Sequence, residues 1–315
     1  MPMAEVLPYT LSLHAKPIYP ARSLLNLLRM GHCAPTVMQT ALQITHNEQA
    51  WLVKLTAGLP GGIGNTQGEC GGVTSPLIVL GLRHGLDEMQ DGLPALFDHG
   101  HAYEQRFQAK NAAIFCKEIQ GKGCLGAVCQ APGLLAETQA TDNRAAIPVE
   151  RRAAYARLYA HFQEQDFHCA RAVFQHLRSI IPVTRPLHQA VSAFIGGMLF
   201  QGFTCSAFAA GVMAIGLQTG QIENSYPRVL RMLTKGIDIA DERANHFHRT
   251  INAGQRLAEW FAGEFGSLQC CAITGCDFAN AGGATQYIAG NGLAACREIA
   301  CATAARVEGI LAEGD

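Results

Sequence analysis

The sequence predicts an all-α protein built from two tandem repeats of a helical domain. Three stretches combine helical spacing of apolar residues with good helix-forming residue types: Arg152 to Glu164, Gln255 to Phe265 and Ala294 to Leu311. No stretch alternates apolar and polar residues between turn residues, as a half-buried strand does. One long cysteine and glycine signature occurs in both halves, which predicts a domain duplication rather than a solenoid.

The duplicated unit is recognised by the fixed spacing of its cysteines and glycines. Each copy begins with His-Cys-Ala and has a Gly-Gly pair that starts nine residues before a second cysteine. Two glycines follow that cysteine by eleven and fifteen residues, and a third cysteine stands nine residues after a phenylalanine. This pattern predicts thiol or metal chemistry in both copies. The first copy comprises Cys33, Gly61, Gly62, Cys70, Gly81, Gly85 and Cys116, and the second comprises Cys169, Gly196, Gly197, Cys205, Gly216, Gly220 and Cys270.

The domain boundary is predicted between the copies. Ala131 to Val149 mixes Pro, Gly, Thr, Asp and Asn with little periodicity, as linkers do. We therefore place the first domain at residues 1–148 and the second at 149–315. The second and third cysteines are 46 residues apart in the first copy and 65 apart in the second, which predicts an insertion between Gln221 and Gly254.

Composition narrows the class of protein. The 315 residues are enough for two domains with sizeable cores. The net charge is -1, so the chain lacks the basic excess of a nucleic-acid-binding surface. Only 16% of residues are charged and 33 are glycine, which predicts large buried faces and close helix contacts, and is compatible with a homodimer.

Two stretches bear on localisation. Pro186 to Ile222 has no Asp, Glu, Lys or Arg, but polar residues such as Gln201 and Thr204 interrupt its apolar run. A membrane helix needs about 20 consecutive, mostly apolar residues, so we predict two buried helices joined by a tight turn and no membrane span. Met1 to Ala21 lacks the pattern of a secretory signal, which predicts a cytoplasmic protein.

The cysteines are the candidate functional residues. Twelve cysteines in a cytoplasmic chain indicate metal binding or catalysis more than structural disulfides, although any one of them is equally explained as a small buried core residue. Four thiolates are the usual ligands of an iron–sulfur cluster and also close structural zinc sites. A fourth thiol is available near the end of each copy: Cys124 or Cys129 in the first, and Cys271, Cys276, Cys296 or Cys301 in the second.

The sequence around these cysteines predicts their local setting. Cys33 and Cys169 begin helix-like runs, and Cys70 and Cys205 follow glycine-containing loops at the start of apolar helices. A helix N-terminus stabilises a thiolate, so we expect a lowered pKa at these thiols. The Gly-Gly pairs either let the backbone approach a cluster or only allow tight helix packing. The histidine before the first cysteine either tunes the thiolate, ligates a metal, or caps and packs.

The second copy resembles the redox-active family named for its C_GCAxxG_C_C cysteine pattern. Cys169 with its following Ala and Val, and Cys205 after Gly196-Gly197, are similar to the first two elements of that pattern. Phe-Gly-Ser before Cys270, and Cys296 at the head of the last helix, are similar to the others. The resemblance implies a helical domain with four redox-active cysteines.

The first copy resembles the same family less completely. It matches at Cys33 and Cys70 and more loosely at Cys116, but Asn111-Ala112-Ala113 stands where the family has Phe-Gly-Ser. Cys124 or Cys129 would have to supply the fourth thiol, unless this site is degenerate. A looser similarity to the cysteine-bearing part of split-Soret cytochromes implies an iron–sulfur cluster.

Together these observations predict a redox protein in which each repeat binds an iron–sulfur cluster and passes electrons to a partner protein. One alternative is a thiol–disulfide oxidoreductase, with a thiol partner and a low-pKa attacking thiol at Cys205 or Cys70. Another is a non-catalytic metal-binding or sensor module that holds zinc, or no metal, beside a transporter. The expected ligands are Cys169, Cys205, Cys270 and Cys296 in the second repeat, and Cys33, Cys70 and Cys116 with Cys124 or Cys129 in the first.

Overall fold

The computed structural model describes residues 18–85, 93–119, 123–144, 146–222 and 249–313. Every regular element in these ranges is an α-helix, apart from two isolated antiparallel bridges between loop segments. The prediction of an all-α fold is confirmed. The predicted insertion between Gln221 and Gly254 lies for the most part outside the described residues.

The helices are numbered in chain order over the described residues. The first half contains α1 (Ile18–Met30), α2 (Cys33–Ile44), α3 (Ala50–Leu55), α4 (Gly71–His84), α5 (Ala95–Asn111), α6 (Cys116–Ile119) and α7 (Cys124–Gln139). The second half contains α8 (Val149–Glu164), α9 (Cys169–His176), α10 (Arg185–Ala190), α11 (Ser206–Thr219), α12 (Arg249–Phe265), α13 (Cys270–Thr274), α14 (Ala281–Ala289) and α15 (Gly292–Ala312). The three helices predicted from periodicity correspond to α8, α12 and α15.

Only the second part of the predicted linker is irregular. Helix α7 continues to Gln139 and so includes the first nine residues of Ala131 to Val149. Ala131, Leu135 and Thr138 are buried along one side of this helix, which packs against α1 and α2. Packing of a buried face stabilises a helix more than residue propensity does, which is why the Pro- and Gly-containing sequence is helical here.

The uncharged stretch from Pro186 contains two helices, as predicted, but a longer connection than a tight turn. Helices α10 and α11 are separated by residues 191–205, in which Met198, Leu199 and Phe200 are buried and have φ of 59°, 52° and 59°. Among the described residues, no helix combines the length and apolar character that a membrane crossing requires.

The described residues form two compact units, each of which takes one segment from the other repeat. The first unit contains the described residues up to Val79, those from Tyr103 to Thr141 and those from Ile215 to Gln255. The second contains those from Leu80 to Ala102, from Asp142 to Ala214 and from Arg256 onward. The last part of α4 therefore belongs to the unit made mainly from the second repeat, and the last part of α11 to the other.

The repeated glycines eleven residues after the second cysteine allow these exchanged segments to pack. In the first unit, a Cβ on Gly216 would lie 2.6 Å from the carbonyl oxygen of Lys54. In the second unit, a Cβ on Gly81 would lie 2.4 Å from the carbonyl oxygen of Gln189. Both contacts are made to backbone atoms, which cannot move aside as a side chain can. Helices α11 and α4 therefore approach the neighbouring backbone closely only because these positions are glycine.

The glycines fifteen residues after the second cysteine lie at the same contacts. A Cβ on Gly220 would lie 3.2 Å from the carbonyl oxygen of Lys54, and one on Gly85 would lie 2.9 Å from that of Gln189. The two repeats thus use the same pair of glycines for the same backbone contact.

We predict that Gly216→Ala lowers the free energy of unfolding by about 1–3 kcal/mol, because the added methyl group meets the Lys54 carbonyl in a closely packed site. Chemical denaturation followed by circular dichroism measures the change. Gly263→Ala is the matched control, since Gly263 lies exposed in α12 and an added Cβ would meet nothing within 4 Å. There the helix propensity of alanine should stabilise the protein by about 0.5–1 kcal/mol. Equal stabilities of the two variants would contradict the close-contact role of Gly216.

Candidate functional site

In the first unit, the four cysteines lie at or beside the starts of helices. Cys33 is the first residue of α2, Cys116 of α6 and Cys124 of α7, while Cys70 directly precedes α4. Helix α2 packs against α7, which brings their regions together within the unit. The local prediction of helices that begin at Cys33 and just after Cys70 is confirmed.

The second and third cysteines of this unit are held by an exchange of backbone hydrogen bonds. The Cys70 N–H donates to the carbonyl of Ile114 (2.8 Å), and the Cys116 N–H donates to the carbonyl of Gly68 (2.6 Å). These bonds flank an antiparallel bridge between the residues that precede the two cysteines. Because the bridge pairs the residues before the cysteines, it holds the backbones of Cys70 and Cys116 diagonally across from each other, each one residue beyond the bridge.

The second unit repeats this arrangement. The Cys205 N–H donates to the carbonyl of Leu268 (2.7 Å), and the Cys270 N–H donates to the carbonyl of Phe203 (2.6 Å), again beside an antiparallel bridge. Cys169 begins α9, and Cys296 lies near the start of α15, which packs against α9. Two sequences that differ widely around their cysteines therefore make the same local structure.

Mutual electrostatic effects identify which thiols lie near one another. Burial raises the pKa of Cys70, and the neighbouring thiols of Cys33, Cys124 and Cys116 raise it further. Burial likewise raises the pKa of Cys270, and the thiols of Cys205, Cys169, Cys296 and Cys271 raise it further. Cys271 is the next residue in the chain and its side chain is exposed, so it is not counted in the buried group. We call these sets the first cysteine group (Cys33, Cys70, Cys116 and Cys124) and the second cysteine group (Cys169, Cys205, Cys270 and Cys296).

The other predicted candidates lie apart from these groups or at their edge. Cys129 is on α7 with Cys124, but its pKa is raised by burial alone. Cys276 is buried, and its thiol donates to the carbonyl of Thr274 (3.3 Å). The side chains of Cys271 and Cys301 are exposed. In the first unit the structure thus places Cys124, rather than Cys129, with the other three thiols.

The expectation of lowered thiol pKa values is wrong. Burial, helped by the thiol of Cys124, raises the pKa of Cys33 to about 12, against the lowering effect of the Gly61 N–H. Burial also raises the pKa of Cys205 to about 11. Removal from water disfavours a thiolate more strongly than a helix N-terminus favours it. The neutral thiol is therefore the stable form of these buried groups near neutral pH.

The first glycine of each Gly-Gly pair donates a hydrogen bond to the sulfur of the first cysteine of its group. Gly61 and Gly196 have φ of +70° and +55°, a region that glycine enters without strain. Burial raises the pKa of Cys169, and among the opposing effects is a hydrogen bond from the Gly196 N–H. A Cβ on Gly197 would lie 2.7 Å from the Cβ of Cys270. These glycines therefore allow close packing and also donate to sulfur.

The histidine before Cys169 is a capping residue. The His168 side chain accepts a hydrogen bond from the Arg171 N–H at the start of α9, and its other ring nitrogen lies 3.1 Å from the carbonyl oxygen of Ser192. Burial, together with the charge of Arg171, lowers the pKa of His168 to about 3. A neutral ring engaged at both nitrogens has no free proton to give to the thiol, so capping and packing explain this residue.

Each group also contains a buried tyrosine that the sequence did not indicate. The hydroxyl of Tyr287, on α14, lies 3.1 Å from the sulfur of Cys296, and burial and the thiols of Cys296 and Cys169 raise the pKa of Tyr287. In the first unit, burial and then the Cys70 thiol raise the pKa of Tyr103, on α5. The two tyrosines occupy different elements, so the repeat gave no signal for them.

Donor geometry constrains what these groups can bind. In the described ranges, no set of three or more His, Cys, Asp or Glu side chains has its donor atoms arranged around the position of one metal ion. The thiols are near enough to affect one another's ionisation, but they do not converge on a single point. All of them are free thiols.

Comparison with known proteins shows that both halves match the same family. The family model described as "Putative redox-active protein (C_GCAxxG_C_C)" matches residues 31–151 and 167–310. No curated protein and no solved structure gave a match. The matched regions cover most of the chain, and each contains one complete cysteine group. This chain is thus a member of the C_GCAxxG_C_C family that carries the family's domain twice in tandem.

Proposed function

We propose that this protein transfers electrons through iron–sulfur clusters, one held by each cysteine group. The observation that carries the proposal is the repetition of one four-thiol arrangement in two units whose surrounding sequences differ. A duplicated pattern of core cysteines would have no need to preserve a bridge that holds the backbones of two of the cysteines close together. Four cysteine thiolates are the usual ligand set of [2Fe–2S] and [4Fe–4S] clusters.

The electrostatics of the groups support a cationic occupant. Ionising several neighbouring buried thiols is opposed by desolvation and by repulsion between the thiolates, as the raised pKa values of Cys70 and Cys270 reflect. A bound cation reverses this balance, because it pairs with thiolates and drives deprotonation of the ligands.

The lack of a convergent donor set among the described residues favours a cluster over a single zinc ion. Zinc–sulfur bonds of about 2.3 Å in a tetrahedron require sulfur atoms about 3.8 Å apart, all directed to one point. None of the described side chains forms such a set. In a [4Fe–4S] cluster each ligand binds a different iron atom, and in a [2Fe–2S] cluster the four ligands are divided between two iron atoms, so the whole set is not directed to one point. A cluster supplies one-electron chemistry, and the protein contributes its position and environment.

The chain's own groups would tune such a site through hydrogen bonds to sulfur. The Gly72 N–H lies 3.4 Å from the Cys70 sulfur, and the Tyr287 hydroxyl lies 3.1 Å from the Cys296 sulfur. Hydrogen bonds to ligand sulfurs withdraw charge from a cluster and are among the determinants of its reduction potential.

Thiol–disulfide exchange is the second candidate, and the exposure of Cys124 beside the half-buried Cys33 favours it. In this reaction the Cys124 thiolate attacks a substrate disulfide, forms a mixed disulfide and releases one substrate thiolate. Cys33 then attacks the Cys124 sulfur, forms the internal disulfide and releases the second substrate thiolate. Burial raises the pKa of Cys124 as well as that of the attacking thiols predicted from the sequence, Cys205 and Cys70. Cys124 is the better candidate because it is exposed to a substrate, whereas Cys205 and Cys70 are buried.

The first prediction is that protein reconstituted anaerobically with iron and sulfide binds one cluster per cysteine group. Cys70→Ser and Cys205→Ser should each lower bound iron and sulfide to roughly half of the wild-type amount, since each removes one ligand of one site. Metal and sulfide analysis with visible absorption measures this. Cys271→Ser, which alters an exposed thiol, is the control. A colourless wild-type protein without iron and sulfide would sink the proposal, and stoichiometric zinc without redox activity would instead support a metal-binding or sensor module.

A second prediction separates the two candidate fourth ligands of the first repeat. On a Cys205→Ser background, which leaves only the first site, Cys124→Ser should abolish cluster binding and Cys129→Ser should leave it intact. Both cysteines lie on α7, so the variants are matched in helix and residue type. Equal loss of iron and sulfide in both variants would contradict the assignment of Cys124.

A third prediction concerns the pH dependence of the metal-free protein. Burial raises the pKa of Cys205 from its ordinary value of 9.0 to about 11. The folded protein binds this proton more tightly than the unfolded chain does, so the stability it contributes is complete below pH 9 and is lost as pH rises toward 11. The free energy of unfolding should therefore fall more steeply between pH 9 and 11 in the wild type than in Cys205→Ser. Parallel pH profiles from chemical denaturation would contradict the buried neutral thiol.

A further inference from the structure

The second unit contains a cleft of about 780 Å³ whose lining includes an exposed thiol. This volume is in the range of sites for small organic molecules, roughly 300–1,000 Å³. Helices α8, α9, α10 and α15 supply most of the lining. The thiol is that of Cys301, on α15, which belongs to neither cysteine group. The cleft therefore presents a nucleophilic sulfur that the proposed electron transfer does not use.

Charges of both signs stand next to this thiol on α15. Arg297 and Glu298 precede Cys301 by four and three residues, and all three side chains are exposed in the cleft lining. Residues three and four apart are neighbours on a helix surface, with their Cβ atoms about 5–6 Å apart. A cation and a carboxylate thus flank the sulfur.

The acidic and basic residues of the whole lining balance in the same way. The two arginines, Arg171 and Arg297, are matched by the two carboxylates of Asp166 and Glu298. An ion of one sign therefore gains little from this cleft. A ligand end that carries both an ammonium and a carboxylate, as an amino acid does, is complementary to the pair beside the thiol.

The Arg297 guanidinium is held in place but is not saturated. It donates to the carbonyl of Gln165 and lies over the ring of Phe167, 5.0 Å from the centroid. A guanidinium has five N–H donors in a rigid fork, so an incoming carboxylate can still accept from it.

The cleft also contains a buried hydrogen-bond donor. Tyr159 lines the cleft and is only 2% exposed, and its hydroxyl has no hydrogen-bond partner among the described residues. Burial raises the pKa of Tyr159 to about 12, against the lowering effect of the Arg171 charge, so the hydroxyl keeps its proton near neutral pH. Buried polar groups are seldom left unsatisfied in folded proteins. Independently of the thiol, this hydroxyl indicates a ligand with an oxygen acceptor, such as a peptide carbonyl.

We propose that the cleft binds a low-molecular-weight peptide disulfide and that Cys301 exchanges with it to form a mixed disulfide. The amino-acid end of the ligand lies against Glu298 and Arg297, and a peptide carbonyl accepts a hydrogen bond from Tyr159. The Cys301 thiolate attacks one sulfur of the ligand, and the new S–S bond forms as the S–S bond of the ligand breaks. The released thiolate takes up the proton that Cys301 lost, and the ligand itself is the oxidant.

This modification goes beyond the electron-transfer proposal and does not require a cluster in either cysteine group. The test therefore uses the reduced, metal-free full chain, so that its failure bears on the cleft alone. The probe is glutathione disulfide, each half of which carries an ammonium and carboxylates. The comparison is the uncharged bis(2-hydroxyethyl) disulfide.

The measurement is the rate of mixed-disulfide formation at two exposed cysteines, followed by acid quenching, digestion and mass spectrometry. Cys271 is exposed but lies outside the cleft lining, so the ratio of the Cys301 rate to the Cys271 rate cancels the intrinsic reactivity of each probe. This ratio should be about tenfold larger for glutathione disulfide than for the uncharged disulfide, as one charge-assisted contact provides.

Three variants locate the contacts. Arg297→Gln, Glu298→Gln and Tyr159→Phe should each lower the preference for glutathione disulfide about fivefold, as loss of one hydrogen bond does, and should change the rate with the uncharged disulfide less than about twofold. Arg306→Gln and Glu308→Gln are the matched controls, because both residues lie on α15 outside the cleft lining.

Two results would overturn the proposal. Equal ratios for the two disulfides would show that Cys301 reacts only as an exposed thiol. A preference that none of the three variants lowers would show that the cleft does not recognise the peptide. Tyr159→Phe keeps the buried ring, and circular dichroism checks that this variant is folded. The two surface variants test the cleft without it.

Discussion

Both cysteine groups depend on a short backbone bridge that joins the second and third cysteines. In each unit, two N–H groups of cysteine residues donate across the bridge at 2.6 to 2.8 Å, which fixes two thiols that are far apart in sequence. The first cysteine of each group is held by a hydrogen bond to its sulfur from the N–H of a glycine in the Gly-Gly pair. The fourth cysteine lies on a helix, α7 or α15, that packs against the helix begun by the first cysteine, α2 or α9. The helices position these segments, and the bridge fixes the register in which the backbone of the second cysteine lies near that of the third.

The energetic cost of the arrangement lies in gathering buried thiols. A helix N-terminus stabilises an anion by about 0.3–1 kcal/mol at an exposed site, whereas burial shifts an ionisation by several pKa units. That difference explains why the expectation that a helix N-terminus lowers the thiol pKa was wrong for Cys33 and Cys205. A group built in this way is stable as neutral thiols or as thiolates paired with cations, and the two states are separated by the loss of protons.

Features that both repeats share could be predicted from the sequence. Features that depend on how the helices pack could not. The spacing shared by the copies identified three cysteines of each group and the glycines at which the exchanged helices touch the backbone. It could not choose between Cys124 and Cys129, since both lie on one helix. Five residues of α-helix rotate a side chain by about 140°, so only the contact of α7 with α2 selects one of them. Tyr103 and Tyr287 were missed because the two repeats supply them from different elements.

The same divergence makes the two groups chemically unequal. In the first, Cys124 is exposed, so its fourth thiol meets solvent. In the second, Cys296 is half-buried and its sulfur lies 3.1 Å from the hydroxyl of Tyr287. Solvent exposure and hydrogen bonds to sulfur are main determinants of the reduction potential of a cluster, so one bound at each group would differ in potential. Duplication of the cysteine pattern has therefore produced two thiol groups with different surroundings, and under the proposed function their clusters would have different reduction potentials.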